Sequence, residues 1–479
     1  MTRGVTAVMR IILLVFAFFL PINSGVLAKD IVGDSGLGLQ STQAIGEKRV
    51  LMVVVRFPDV TPTIPIEAVK KKVVSAFNMY VVEQSYGLAS VNADFRGYVM
   101  LPSPLSQYKV SQFNNQVDAG RVRKLIEDTM TTLENEVNFS SYDHMLIIPA
   151  VRTTSGTGYG MVCYCANPGM LTPIKKKDRF GSIGRVGQYE TLRSKDGKEF
   201  RGGVFVGAEN ANLGMYAHDY FHALGGLYEG RRFAPCLYDY ARQSDASLRS
   251  PDGGVFVGHS IYMGPWDIMS QHFINPGEPP PGLSSFTKIR LGWIGMPQVQ
   301  IVKPGETSFA LLSPLSKGGD LLVVKIPLSI TTHYLIENRQ PVGFDKILPD
   351  SGILILEVNR MVSDADGPVR VKSAVSSPNF DQATYKLEEN NRNVFVDKRN
   401  NVAVIPLWRQ KENLGVLITT PNRSEAAIKA GRAIQALIDQ NLGTSDNEKE
   451  AVILEAITAF KSKDFEKSYA IATRRHEGR

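Results

Sequence analysis

The chain has only three cysteines, Cys163, Cys165 and Cys236. Three thiols close at most one disulfide, which excludes a disulfide-stapled scaffold, and the Cys163/Cys165 pair is too small for a zinc ribbon. Histidine is almost as scarce, with seven in 479 residues. After residue 28 there is no apolar run long enough for a membrane span of about 20 residues. No block of basic residues is interleaved with aromatics either. The formal net charge of +7 is spread along the chain, so no nucleic-acid partner is expected.

The strongest apolar run lies at the very start. Arg3 and Arg10 lead into Ile11–Leu20, Pro21 breaks the run, and Val26-Leu27-Ala28 supplies a small-residue cleavage site. That is the pattern of a secretory signal peptide over residues 1–28. Its apolar core is short for a span, so cleavage is expected, with a secreted, extracellular protein and no stable membrane insertion.

Given so few histidines, His218 and His222 stand out; random placement gives about 0.1 pairs at this spacing. Four apart on a helix, they share one face with Cβ atoms roughly 6 Å apart. Both rings can then meet one Zn²⁺ at about 2.0–2.1 Å. Asn210 or Asn212 can cap this helix and Gly225-Gly226 can end it. Gly214 counts against it by about 1 kcal/mol. The plainer alternative is a histidine pair packed in a core. Zinc hydrolases carry His-Glu-x-x-His, the Glu acting as general base. Here Asp219 holds that position, with the same chemistry but about 1.5 Å less reach.

Around this segment, strands and helices alternate. Arg49–Phe57 reads as a buried strand, Ile66–Tyr80 as a helix, and Ala89–Tyr98 as a second strand. Asp118–Val137 reads as an amphipathic helix with Val122, Leu125, Ile126, Met130 and Leu133 on one side. Met145–Ala150 is another strand, residues 151–200 are loops and hairpins, and Gly203–Gly207 is a strand before the histidine helix. This order predicts an α/β (α+β) catalytic domain over residues 46–298. From about Val299, short strands between Gly, Pro and Asn turns predict a β-sandwich-like domain over 299–420. Residues 424–479 read as a helical hairpin, Glu425–Asn441 and Asn447–Arg475, with a bend near Ser462; such a hairpin can serve to dock a partner.

Several segments together resemble the immune inhibitor A family of secreted zinc metallopeptidases. They are Arg49–Asp59, Glu83-Gln-Ser-Tyr-Gly87, Asn138-Phe-Ser-Ser-Tyr-Asp143, Gly264-Pro-Trp-Asp-Ile-Met-Ser270 and the Pro279–Ile294 stretch. His333-Tyr-Leu-Ile-Glu-Asn-Arg-Gln340 and Leu348–Ile355 continue the likeness. It covers about residues 46–360 in the expected order and leaves out the C-terminal hairpin. The resemblance implies a metzincin-like zinc site with His218 and His222 as ligands and Met269 in the methionine turn beneath the metal. It also implies an acidic third ligand about six positions after the second histidine, where Tyr228 stands. Glu229, one step further, is the nearest substitute. Cys236 is the alternative, because Ala234-Pro-Cys-Leu-Tyr-Asp239 is similar to the family's Leu-Pro-Asp-Leu-Tyr-Asp displaced by an insertion. His259 is a more distant third. Solvation of Glu229, and a disulfide from Cys236 to Cys163 or Cys165, are the structural alternatives.

The expected function is therefore a zinc-dependent endopeptidase acting on protein or peptide substrates, with Zn²⁺ on His218, His222 and Glu229 and Asp219 as the base. The competing expectation is a catalytically impaired homologue that serves as a secreted binding or scaffold protein.

Overall fold

The computed structural model describes residues 36–474, apart from 109–117, 154–162, 173, 178–182, 240–261, 276, 377–379, 388, 390 and 442–446. The expected signal peptide and His259 lie outside the described residues. By its contacts the chain divides into two units, one of Ser35–Ile301 with Leu312–Thr384, the other including Val302–Leu311 and Tyr385 onward.

The first unit is built on strand β1, Gly46–Arg56. Successive side chains of a strand point to opposite faces. Val50, Met52 and Val54 accordingly enter one core cluster, and Leu51, Val53 and Val55 enter another. The unbroken apolar run thus reflects a sheet covered on both sides. With β2 (Ala89–Met100), β3 (His144–Pro149), β4 (Cys163–Asn167) and β5 (Gly203–Gly207), the sheet order is β2-β1-β3-β5-β4. All neighbours are parallel except β4, which runs antiparallel to β5.

Helices cover both faces. The helical run 66–84, α1, has a π-helical middle, Lys71–Ala76. It packs with the histidine helix α3 (Leu213–Gly225) through Phe77, Tyr80, Tyr220 and Phe221. On the other face lies α2, Ala119–Leu133, where Asp118 caps the start by accepting from the Gly120 and Arg121 amides. Val122, Leu125, Ile126, Met130 and Leu133 are all buried there, worth about 2 kcal/mol each before entropy is counted. This mixed α/β layering agrees with the expected class.

Three expectations are corrected. Residues 151–200 do contain hairpins, at 174–186 and 192–200, but they also supply β4 to the main sheet. Cys163–Asn167 is five residues without alternation, so nothing in its pattern marks a strand. Second, the strands of 299–420 do not form one domain. Val299–Ile301, Val323–Pro327, Thr332–Arg339, Gly352–Asn359 and Val369–Val371 form a sheet in the first unit. Its Val323, Leu335 and Leu354 share a core cluster with Trp266 and Met269. The remaining strands, Ser308–Leu312, Phe395–Asp397, Val402–Gln410 and Asn413–Thr419, form a second sheet, assigned to the other unit apart from Leu312. Strand propensity cannot tell which sheet a strand will join.

Third, the described residues of the C-terminal segment form three helices: Pro421–Asn441, Asn447–Lys461 and Phe465–Ala472. The expected bend is a complete break. Lys463 takes φ +66°, and Asp464 caps the last helix by accepting from the Lys467 amide. Phe465 and Ile471 thereby join Ile453, Ala456, Ile457 and Phe460 in one core. No helix among the described residues is long and apolar enough to cross a membrane.

Candidate metal centre

The Asn212 side chain caps α3 by accepting from the Gly214 amide at 3.0 Å, and Gly226 at φ +74° ends it. The helix is buried along almost its whole length, which suits its nearly unbroken apolar sequence. His218 and His222 are both on its buried surface, 2% and 1% exposed.

The second nitrogen of each ring fixes what the first can do. His218 Nδ1 lies 2.9 Å from the Ile268 carbonyl oxygen, and His222 Nδ1 lies 2.6 Å from that of Ala234. A carbonyl only accepts, so each Nδ1 carries the proton and each Nε2 presents a lone pair. The two Nε2 atoms are 3.0 Å apart. Lone pairs at that separation repel unless a proton or a metal ion sits between them. Cys236 Sγ completes the group, 3.6 Å from His218 Nε2 and 3.3 Å from His222 Nε2. In a tetrahedral zinc site with bonds of about 2.0–2.1 Å to nitrogen and 2.3 Å to sulfur, donors stand about 3.3–3.6 Å apart. The two sulfur–nitrogen distances fall in that range, and the nitrogen pair at 3.0 Å stands slightly closer.

The group is buried. Burial, with Arg232 adding to it, holds the His222 imidazole well below the ordinary histidine range, leaving it neutral as a ligand must be. Burial pushes the Cys236 thiol well up, and Asp364 adds to this; Arg232 and the Tyr238 hydroxyl act the other way. Cys236 Sγ donates to the Tyr238 hydroxyl oxygen at 3.2 Å, and the Tyr238 ring stacks on His218. The His272 ring packs 4.3 Å from that of His218. Asp219, Arg232, Tyr238 and His272 line one cleft with the two histidines, with free volume of about 20 Å³. That is room for about one water. Burial drives the Asp219 carboxyl well above the usual carboxylate range, against the opposing effects of Arg232 and the Cys165 amide.

The methionine turn acts through its backbone. Ile268 orients His218, and the Met269 carbonyl receives the Leu237 amide at 2.8 Å, beside the cysteine. Asp267 braces the turn, accepting from the Met269 amide, both polar groups of Ser284 and the Thr287 hydroxyl. The Met269 side chain is fully buried in the core.

Of the residues expected at the site, the structure brings His218, His222 and Asp219 to one cleft and leaves Glu229 out. Glu229 is exposed at the tip of the hairpin Leu227–Tyr228/Arg231–Arg232, at φ +49° and followed by Gly230 at φ +76°. The hairpin turns the chain outward just where Glu229 stands and returns it to the helix at Ala234–Cys236. Cys236, not Glu229, stands with the two histidines in a group that could hold a metal ion, and all three cysteines are free thiols. Sequence patterns do not single out His272, Arg232 or Asp364, and Tyr238 appears only within the Ala234–Asp239 stretch that carries the family likeness, with no role given to it. His272 stands close to Met269 in the chain, which is its only signal; Asp364 has none.

The chain matches no family model and no curated protein.

Proposed function

We propose that the protein is a secreted zinc-dependent endopeptidase whose metal is held by His218 Nε2, His222 Nε2 and Cys236 Sγ. The observation that carries this reading is the pair of imidazole lone pairs 3.0 Å apart, each fixed by a carbonyl on the other nitrogen, with a sulfur within reach of both. The resemblance of residues 46–360 to the immune inhibitor A peptidases supports it. Zinc held by these residues would supply Lewis acidity to an attacking water and to the scissile carbonyl.

The chain's own residues would do the rest. In its carboxylate form Asp219 takes the proton of the water and returns it to the leaving amine. Tyr238 and His272, which line the cleft, would contact a substrate that opens it. The carbonyls of Ile268 and Ala234 keep both imidazoles in the ligating tautomer.

A second reading is a catalytically impaired homologue acting as a secreted binding or scaffold protein. Two observations favour it: the shorter Asp219 side chain and a cleft with space for about one water. The deciding experiment is cleavage of an unfolded protein substrate by the purified chain with zinc, beside the Asp219→Glu variant and a chelator control. Chelator-sensitive cleavage by the natural chain supports the peptidase. Cleavage by Asp219→Glu alone supports the impaired homologue.

A further inference from the structure

The third donor has a support that the metal reading does not use. A cysteine side chain has a single torsion between backbone and sulfur, so the place of Sγ follows from how the backbone is held. In this chain the backbone around Cys236 is gripped on two sides. Leu237 donates to the Met269 carbonyl on one side. On the other lies the loop between the strands Gly352–Asn359 and Val369–Val371. There the Ala365 amide donates to the Cys236 carbonyl at 3.1 Å, and the Gly367 amide to that of Tyr238 at 3.2 Å.

Asp364 adds the side-chain contacts. Its Oδ1 accepts from the Cys236 amide at 2.7 Å, and its Oδ2 accepts from Arg232 Nη1 at 3.3 Å. The same Nη1 lies 4.0 Å from Cys236 Sγ. One carboxylate, 128 residues downstream, thus fixes both the main chain of the sulfur donor and the cation beside it. The loop is held in a form suited to this: Ala365 has φ +63° and Gly367 φ +72°. A non-glycine residue at positive φ stays there only when its surroundings hold it.

We propose that Asp364 is a positioning residue of the metal centre, which sets the Cys236 sulfur against the two histidines and holds Arg232 beside it. The inference rests on the metal reading above, and its test separates the two. Zinc affinity is measured on the full chain by competition with a chromophoric chelator. Cobalt is substituted for zinc to read the thiolate-to-metal absorption band. Both are done for natural chain, Asp364→Ala and the milder Asp364→Asn, each with Cys236 present and in a Cys236→Ala background, and thermal unfolding is recorded for all.

With Cys236 present, Asp364→Ala should weaken zinc about 10–100-fold, and Asp364→Asn less, with the thiolate band displaced or lost. In the Cys236→Ala background the same substitutions should change zinc affinity by less than about threefold, because the group they position is gone. Equal losses in both backgrounds would mean a general structural role and overturn the proposal. A natural chain that binds zinc but is indifferent to Asp364 overturns it and leaves the metal reading standing. A natural chain that takes up neither metal ends both. If Asp364→Ala does not fold, Asp364→Asn decides by the same comparison.

Discussion

Cys236 Sγ lies 3.3 Å from His222 Nε2, although the two are fourteen positions apart with an outward-turning hairpin between them. The helix brings two candidate donors together by spacing alone; the third candidate arrives only because the chain doubles back. Cys236→Ala should therefore weaken zinc at least about 100-fold, whereas Glu229→Gln should leave it unchanged within about threefold. Metal content after dialysis against a graded zinc buffer measures both. If Glu229→Gln is the damaging change, Cys236 is not the third donor.

Asp219 lines the same cleft as the histidines but is not one of the three donors. Asp219→Asn should keep zinc at one per chain while lowering peptide cleavage about 10²–10⁴-fold. Loss of the metal in that variant would show that Asp219 holds the site together rather than moving a proton.

His144 sits buried in β3 with its ring edge-on to Tyr220 and no hydrogen-bond partner on Nδ1. Burial lowers its pKa to about 4 from the usual 6.5. Between those values the unfolded chain binds a proton that the folded chain refuses, so stability falls as pH drops through this window. A shift of that size corresponds to about 3 kcal/mol. His333, lowered to about 3 by burial and by Lys325 and Arg360, acts in the same direction. Replacing His144 with Phe should flatten the decline between pH 6.5 and 4 by about 3 kcal/mol, as read by urea unfolding at several pH values.

Arg339 has no exposed side-chain surface, and neither does Glu337. Its guanidinium forks onto Asp345 at 2.9 Å twice, reaches Glu337 at 3.0 Å and donates to the Trp266 carbonyl at 2.8 Å. Glu337 in turn accepts from the Ser285 amide. Arg339→Met strands two buried carboxylates and should cost about 3–5 kcal/mol. Denaturant titration checks this, and adding Asp345→Asn should recover part of the loss. Full additivity of the two changes would contradict the coupling described.

Gly214 is disfavoured by helix propensity, which would make Gly214→Ala stabilising by about 1 kcal/mol. A Cβ there would stand 1.8 Å from the His272 carbonyl oxygen. The substitution should instead destabilise by about 2 kcal/mol or more, because backbone must move to admit it. A rise in melting temperature would show that the close approach is not required.

Part of this molecule is legible in the amino-acid order alone. The run Val50–Val55 announces a strand covered on both faces, the spacing of Val122 to Leu133 announces α2, and Asn212 and Gly226 mark the ends of the histidine helix. Spacing on that helix also predicts that His218 and His222 converge. Such signals are local: periodicity, caps and turns act within a few residues, so the order of the chain records them. What closes the site is not local. Cys236 takes its place over Glu229 through a hairpin of four strand residues, and its backbone is held by Met269 and Asp364. The allocation of strands between two sheets depends likewise on buried partners such as Trp266 for Arg339. Contacts between distant segments leave no periodic trace in either partner, so tertiary packing alone brought Cys236 to the two histidines and set the walls around them.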